Sequence, residues 1–333
     1  MRGIRIAAMT SPNCSGSQKG CAHMAEQSCR SLGRFASVAL FAIFLADAIL
    51  GHAQSGSVKN IAPGVYVWQG DRDKREPANC MWVIFKNYVL VVDANFPWGA
   101  REILPQIKAT TDKPIRFVLN THYHGDHAYG NAIFVDAGAM IVNSEATDEE
   151  ARTRGADGWK NWNDPTHSLK DTREEFATLT FSDHLVFDDG TQRVEFIRLG
   201  PAHSHGDTVA YLPKQHIVAT GDLCVTWAHG NNTADPGGSY KGWLAALDKM
   251  ISWNVATVVP GHGAVAGPDA LQGQRAYLDA MWTKVQAAKA AGENPDQVIT
   301  EIDFSKYGTI ASDANANASS IRSMFRRIDA GGN

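Results

Sequence analysis

The body of this sequence contains very little cysteine. Three of the five cysteines lie within the first thirty residues, and only Cys80 and Cys224 lie further along the chain. So few cysteines exclude a disulfide framework as the basis of the fold. Cys80 and Cys224 are candidates for a single pair in an oxidising compartment, a question that the sequence leaves open.

The chain also lacks an excess of basic residues. It carries 31 Lys and Arg against 35 Asp and Glu, a net charge of −4. A nucleic-acid-binding surface needs a basic footprint, so no nucleic-acid partner is expected. Hydrophobic residues make up 44% of the chain and charged residues 20%, which is ordinary for a soluble globular protein.

Only one long apolar run is present, at residues 35–50. It follows Arg30 and Arg34 and precedes the small residues around Ala53, which is the pattern of a secretory signal peptide. We predict that residues 1–54 are a signal peptide and a disordered N-terminus, with Met24 as a candidate start and Gln54 near the cleavage point. An uncleaved membrane anchor is the alternative, although the run is short for a span and no second one follows.

Cleavage would leave a periplasmic or secreted protein without stable membrane insertion. Removing residues 1–54 takes away five basic and two acidic residues, so 26 basic and 33 acidic residues remain, a net charge of −7. Such a charge argues further against nucleic acid. The expected partner is a small-molecule substrate, and the oligomeric state stays open.

Residues 55–333 contain no alignable repeat and no low-complexity linker, so we predict a single domain with C-terminal helices. Predicted strands lie at 64–68, 81–85, 88–92, 115–119, 137–142, 185–187, 193–199, 209–212, 216–220 and 256–259. Predicted helices lie at 100–109, 144–155 with Ser144 as N-cap, 240–253, 269–291, 294–302 and 318–329. Residues 159–183 read as an irregular loop or lid. Two sheets with helices outside them would bury these apolar runs.

The most informative segment is the loop Thr121-His122-Tyr123-His124-Gly125-Asp126-His127, directly after the apolar strand at 115–119. It has the pattern His-x-His-x-Asp-His, and such nitrogen and oxygen ligands suit zinc and similar divalent metals. Six residues cannot wrap four ligands around one ion without strain. A turn at Gly125 can instead aim alternate side chains at two neighbouring ions.

Three further candidate ligands each follow a predicted strand. They are His203 in Pro201-Ala202-His203-Ser204-His205-Gly206-Asp207, Asp222 in Thr220-Gly221-Asp222, and His262 in Pro260-Gly261-His262-Gly263. Each alone could be an ordinary turn or strand end. Their shared position at strand-to-loop junctions, in a chain with the His-rich loop, favours one common metal site.

Together these motifs resemble the metallo-β-lactamase superfamily over roughly residues 60–290. The resemblance implies an α/β (α+β) fold, a four-layer αβ/βα sandwich of two mixed β-sheets with helices on the outer faces and metals at one edge. It also implies two triads and a bridging residue: His122, His124 and His203 for the first metal, Asp126, His127 and His262 for the second, and Asp222 for both. Asp93 matches a family aspartate near the metal loop, whereas His205 matches no family ligand.

Comparison with subfamilies narrows the expected chemistry. Flavodiiron proteins have Glu at the position of His124, and the best-known zinc β-lactamase subclass has Cys at that of Asp222. A second lactamase subclass lacks a bridging carboxylate. The pattern here is more similar to glyoxalase-type thioesterases, lactonases and periplasmic hydrolases linked to sulfur oxidation or quinoprotein systems. No glutathione-binding set is recognisable.

Together with the predicted signal peptide, the resemblance therefore implies a secreted binuclear hydrolase. Two divalent ions, preferably zinc with iron or manganese as alternatives, would share a hydroxide that attacks an ester, thioester, lactone or amide of a small molecule. Asp126 would be the catalytic residue that orients this nucleophile and helps to protonate the leaving group. A zinc β-lactamase and a mononuclear iron protein of the persulfide dioxygenase type are the alternatives. Trp98, Trp159 and Trp162 are candidate pocket walls.

Overall fold

The computed structural model describes residues 56–75 and 77–332, so the predicted signal segment lies outside the described residues. The strands are β1 (Val58–Ala62), β2 (Val65–Trp68), β3 (Cys80–Ile84), β4 (Val89–Val92), β5 (Ile115–Leu119), β6 (Met140–Ser144), β7 (Leu179–Phe181), β8 (His184–Asp188), β9 (Arg193–Arg198), β10 (Thr208–Leu212), β11 (Ile217–Ala219) and β12 (Thr257–Val259). The α-helices are α1 (Pro97–Thr110), α2 (Gly125–Ala128), α3 (Asn131–Asp136), α4 (Glu145–Glu150), α5 (Ala156–Lys160), α6 (Tyr240–Ser252), α7 (Asp269–Ala291), α8 (Pro295–Glu301) and α9 (Ala314–Asp329).

Two mixed sheets form the centre of the fold. One has seven strands in the order β1-β2-β3-β4-β5-β6-β7, and the other has five in the order β12-β11-β10-β9-β8. In the first sheet β1 to β4 pair antiparallel, and β4 to β7 pair parallel. In the second sheet only the pair β11–β12 is parallel.

Alternation along the strands sorts the side chains into separate layers. Met81 and Val83 of β3 point into the apolar core between the two sheets, whereas Trp82 points to the opposite face, where α1 and α3 pack. The outer face of the second sheet is covered by α6, α7, α8 and α9 in a third core. The predicted four-layer sandwich of two mixed sheets is thus confirmed.

Several predicted elements differ from the structure at their ends. The strand predicted at 137–142 begins only at Met140, because Gly138 adopts a positive φ of 95° and turns the chain out of α3. The helix predicted at 144–155 is interrupted by a π-helical turn at Ala151–Gly155, although Ser144 does cap it by accepting the Thr147 amide. The last helix starts earlier than predicted, at Ala314, where Asp313 caps it. Strands β1 and β7 and the short helices α2 and α3 were not predicted. Strand β7 lies within residues 159–183, so the prediction of an irregular loop is wrong at that end, where β7 pairs with β6.

The two body cysteines do not pair: Cys80 and Cys224 are both buried and free in the described part of the chain. Among the residues described, no helix is both long and apolar enough to cross a membrane.

The carboxyl ends of β5, β11 and β12 lead into loops at one edge of the sandwich. The loop after β5 carries His122 to His127, and the β9–β10 connection carries His203. Asp222 lies in a short 3-10 helix, Gly221–Leu223, that follows β11, and His262 follows β12. Within the second sheet β11 and β12 are parallel and end at the same edge, which brings Asp222 and His262 together.

Candidate metal centre

The structure gathers the seven predicted ligands into two adjacent groups. His122, His124, His203 and Asp222 form one group, and Asp126, His127 and His262 form the other; within each, the ligand atoms lie within 4.8 Å of one another. This grouping matches the division that the sequence resemblance implies. Five of the seven side chains are buried, whereas those of His124 and Asp126 are 19% and 21% exposed and face the solvent side.

The first group converges through ring nitrogens. His124 Nδ1 lies 3.0 Å from His122 Nε2 and 3.1 Å from His203 Nε2. Three imidazole nitrogens so close together are the arrangement that a shared cation requires.

In the second group the carboxylates face imidazole nitrogens. Asp126 Oδ2 lies 3.4 Å from His262 Nε2 and 3.8 Å from His127 Nε2. Asp222 lies between the groups: its Oδ1 is 3.3 Å from His127 Nε2 and 3.2 Å from His262 Nε2, and its Oδ2 is 3.7 Å from His203 Nε2. Each group is therefore approached by a different oxygen of the same carboxylate.

Hydrogen bonds on the outer side of the rings set which nitrogen faces inward. His127 Nδ1 lies 2.8 Å from Asp93 Oδ2, and His262 Nδ1 lies 2.8 Å from the Pro77 carbonyl. Both partners can only accept, so each Nδ1 carries a hydrogen and each Nε2 is the nitrogen that faces the cluster.

The same reasoning holds for the other two rings of the His-rich loop. The hydroxyl of Thr121 donates to Asp93 Oδ2 at 2.9 Å, and so accepts from His122 Nδ1 at 3.1 Å. His124 is reversed, because its Nε2 lies 2.9 Å from Asp235 Oδ2 and its Nδ1 faces the cluster. Each of these rings thus directs its other nitrogen to the centre.

The charges in the cluster balance one another. Burial opposes protonation of His127, but Asp93, Asp126 and Asp222 around it raise its pKa well above the usual value. Burial also opposes ionisation of Asp222, yet His262 and His127 hold its pKa well below the usual range. Burial lowers the pKa of His203 to about 4, which keeps this imidazole neutral and able to act as a ligand.

Two glycines let the backbone approach the cluster closely. A Cβ at Gly261 would lie 2.0 Å from Asp222 Oδ1, and a Cβ at Gly221 would lie 2.4 Å from the Thr121 hydroxyl. Gly221 also has a positive φ of 50°. Any other residue at these positions would displace Asp222 or the His-rich loop.

The residues present fit a bound divalent metal. His127 Nε2 and Asp222 Oδ1 are buried without a hydrogen-bond partner among the described residues, and both point into the cluster. Buried polar atoms are rarely left unpaired, and a cation between them would satisfy both. The donor set of imidazole nitrogens and carboxylate oxygens suits zinc, iron or manganese.

Residues outside the sequence motifs form hydrogen bonds to the loops that contain the candidate ligands. Asn79 donates to the Pro260 and Gly263 carbonyls at 2.8 and 2.9 Å and so braces the loop of His262. Glu150, 3% exposed, accepts the amides of His205 and Gly206 and so braces the loop of His203. His205 itself takes part only through its backbone in this contact.

Asp235 is a further unpredicted residue, on the loop at residues 227–239. Its carboxylate contacts His124 and accepts from the Tyr123 hydroxyl and the Gly237 amide. The guanidinium of Arg327 on α9 donates to the backbone carbonyl of Asp235. A C-terminal helix therefore holds the loop that orients a candidate ligand.

A cavity of about 520 Å³ opens beside the cluster, with Asp126 in its lining. Its other walls come from the β2–β3 loop, the 227–239 loop and α9. The aromatic lining consists of Phe96 and Trp227, and Trp227 stacks on the ring of His262 at 4.1 Å with an interplanar angle of 9°.

The three predicted pocket walls do not line this cavity, so that prediction is wrong. Trp98 and Trp162 pack with Phe96, and Trp159 packs on Tyr129. Trp159 and Trp162 line a separate surface cavity near His167 instead. Trp227 lies five residues after Asp222, but no pattern in the sequence marks it as a residue of the cavity. Only the fold shows that it lies there.

Comparison with known proteins identifies the family of this chain. The family model of the metallo-beta-lactamase superfamily matches residues 73–262. A metallo-beta-lactamase type 2 from Bacillus sp. (strain 170) is 26% identical over 195 residues, which cover 57% of this chain and 68% of that protein. A linear primary-alkylsulfatase from Pseudomonas sp. is 24% identical over 200 residues, covering 49% of this chain and 37% of that enzyme.

Solved structures share the fold. A metallo-beta-lactamase from Pontibacter korlensis has a TM-score of 0.56 at 22% identity, covering 67% of this chain and 98% of that chain. A structure of TMB-1 has a TM-score of 0.54 at 18% identity, covering 67% of this chain and 97% of that chain.

Proposed function

The chain belongs to the metallo-beta-lactamase superfamily and is a metal-dependent hydrolase, and from this premise we propose a secreted binuclear enzyme that cleaves an ester, thioester, lactone or amide bond of a small molecule. One observation carries the binuclear part: the two oxygens of Asp222 approach two separate ligand groups. His122, His124 and His203 would hold one ion, Asp126, His127 and His262 the other, and Asp222 both.

Two divalent ions in such a centre supply an activated water molecule and an electrostatic clamp for the carbonyl oxygen of the substrate. The chain's own residues place and protect this chemistry. Asp93 and Asp235 fix the rings of His127 and His124, and Trp227 covers one face of His262. These contacts keep the ligands in one geometry before substrate arrives.

Asp126 is proposed as the catalytic residue that handles protons. Its carboxylate is 21% exposed and lines the cavity, unlike the buried Asp222. A carboxylate between the ligand cluster and the cavity can accept a proton from the attacking water and return it to the leaving group.

Zinc is the proposed metal, because five imidazoles and two carboxylates form a donor set that zinc favours. The decisive experiment is elemental analysis of purified protein, with turnover of an ester, a thioester, a lactone, a sulfate ester and a β-lactam. About two zinc ions per chain and turnover of a carbonyl substrate are expected. Metal content that never exceeds one ion in replete buffer would contradict the binuclear centre and favour the mononuclear iron alternative.

Hydrolysis of β-lactams is the second candidate function, favoured by the similarity to metallo-beta-lactamases in sequence and in fold. The substrate panel separates it from the first. Turnover of the β-lactam well above the ester, lactone and thioester would make it the principal activity.

Export is proposed from the basic, apolar and small segments at residues 30–53. Mature protein recovered from the periplasm or medium should begin near Gln54. An intact mass that shows residues 24–53 still attached would contradict cleavage and favour the uncleaved membrane anchor.

A further inference from the structure

We propose that the cavity beside the metal centre contains an anion subsite built on Arg72, so that the preferred substrate carries a carboxylate or similar anionic group away from the scissile bond. The inference rests on the proposed hydrolytic function and adds a substrate class to it.

The charges around the cavity single out Arg72. Three basic side chains line it, and two of them already have carboxylate partners: Arg75 pairs with Asp164, and His229 lies 3.5 Å from Asp313. Arg72 has no carboxylate partner in the described part of the chain. Its charge is therefore available to a ligand in the cavity.

The guanidinium of Arg72 is also held towards the metal centre. It lies over the ring of Trp227, 5.6 Å from the centroid, and Trp227 in turn stacks on His262. The indole nitrogen of Trp227 donates to the Gly230 carbonyl at 2.6 Å, which fixes the ring between them. A cation–π contact of this kind restrains the arginine while its N–H groups stay free to bind an anion.

The remaining lining is suited to a polar ligand. Asn231, Asn232 and Thr233 line the cavity from the 227–239 loop, and Ser319 and Ser320 line it from α9. Asp126 is the one carboxylate among the described lining residues, and it faces His262 and His127 rather than Arg72. An anionic group therefore meets a cation and neutral hydrogen-bonding groups here.

The test compares two esters that differ only in charge: mono-4-nitrophenyl glutarate and its methyl ester. The wild-type protein, loaded with zinc, should show a higher kcat/KM for the anionic ester. In Arg72→Gln the ratio of kcat/KM for the two esters should fall about tenfold, mainly through KM, the scale of one charge-assisted hydrogen bond at a partly exposed site. Added salt should narrow the wild-type preference.

Arg116→Gln is the matched control, because Arg116 is exposed near the start of β5, whereas the His-rich loop follows the other end of that strand. It should keep the wild-type ratio. Equal ratios in wild type and Arg72→Gln would overturn the subsite while leaving the hydrolase intact.

Absence of turnover with both esters would overturn ester hydrolysis and calls for a second readout. Calorimetric titration with glutarate should then give about tenfold weaker binding to zinc-loaded Arg72→Gln than to wild type or Arg116→Gln. The same affinity in all three proteins would overturn the subsite as well.

Discussion

At the scale of single residues, Asp93 shows how much of this site depends on one carboxylate. It accepts the amide of Thr121 at 2.7 Å, the Thr121 hydroxyl, and Nδ1 of His127. Its backbone has a positive φ of 64°, which is unusual for a residue other than glycine. A non-glycine residue persists in that region when its surroundings compensate, here through three hydrogen bonds that orient two candidate ligand rings.

Asp222→Asn tests the bridging role. The amide keeps the shape of the side chain but loses the charge and one acceptor, so both ligand groups should hold metal less well. We expect a folded protein with less bound metal and a kcat reduced about 10²-fold or more. Elemental analysis and kinetics measure both effects, and Asp183→Asn at an exposed site serves as the control. Two ions and near-normal turnover in the variant would remove the bridging assignment.

Asp235→Asn tests the orientation of His124. Loss of the carboxylate charge weakens the contact that keeps the hydrogen on Nε2 and the lone pair on Nδ1. Metal affinity should fall about 10- to 100-fold, as measured by competition with a chromogenic chelator. Tyr123→Phe removes the neighbouring hydroxyl contact alone and should have a smaller effect. Equal affinities in Asp235→Asn and wild type would show that His124 is held by other contacts.

The seven candidate ligands could be predicted because they sit in short motifs with glycines beside them. Asp235, Asn79 and Arg72 could not, because each is a single polar residue in a loop without any pattern. Their roles depend on which loops the two sheets bring together, and this is a property of long-range packing. The prediction of Trp98 as a pocket wall failed for the same reason, because the sequence does not show which residues an aromatic side chain will contact.

At the scale of elements, hairpin turns link the two sheets. Asp189, in the turn between β8 and β9, accepts the Lys86 amide of the β3–β4 turn at 2.6 Å. Its other oxygen accepts the amides of Thr191 and Gln192. Although burial opposes its ionisation, these hydrogen bonds hold the pKa of Asp189 well below the usual range.

Asp189→Asn should therefore destabilise the protein in a pH-dependent way. A carboxyl whose pKa is lower in the folded state adds stability above its unfolded pKa of about 4 and loses it as the pH falls towards the folded value. We expect a melting temperature a few degrees below wild type at neutral pH, with the gap narrowing below about pH 4. Thermal melts from pH 7 to pH 3 measure this, with Asp183→Asn as the exposed control. A gap that stays constant across this range would show that charge is not involved.

Strands were predictable where two apolar runs flank a turn, as around Lys86-Asn87 and Asp189-Gly190. Five-residue β5 was predicted with its observed ends, and α7 likewise, because Gly292 ends that helix with a positive φ of 76°. The π-helical turn at Ala151–Gly155 leaves no such signal. Neighbouring Glu150 contacts the His203 loop, and such long-range contacts have no local pattern in the sequence.

At the scale of the whole molecule, the metal centre joins both sheets. The His-rich loop follows β5 of the seven-stranded sheet, whereas His203, Asp222 and His262 lie on loops of the five-stranded sheet. Each ligand group therefore contains residues from both. A bound ion favours the folded state, because the unfolded chain does not hold these ligands together.

Removal of metal should lower thermal stability. An ion at a thousandfold excess over its Kd contributes about 4 kcal/mol to the free energy of unfolding. Dialysis against a chelator should therefore lower the melting temperature by several degrees, and zinc should restore it. Elemental analysis must show that metal has left. An unchanged melting temperature in stripped protein would mean that the sheets are held by their apolar cores alone.

The joining of two sheets by one cluster also has a consequence for the rates of folding. Because the ligands come from both sheets, we expect them to meet only after the sheets have formed and packed, so that the cluster is absent from the transition state. Interactions formed so late slow unfolding and leave the folding rate unchanged. Metal-loaded protein should thus unfold more slowly in denaturant than stripped protein while refolding at the same rate. We propose above that this chain is exported. An exported protein meets proteases without a supply of new chain, so this longer lifetime of the native state would then matter more than its equilibrium stability.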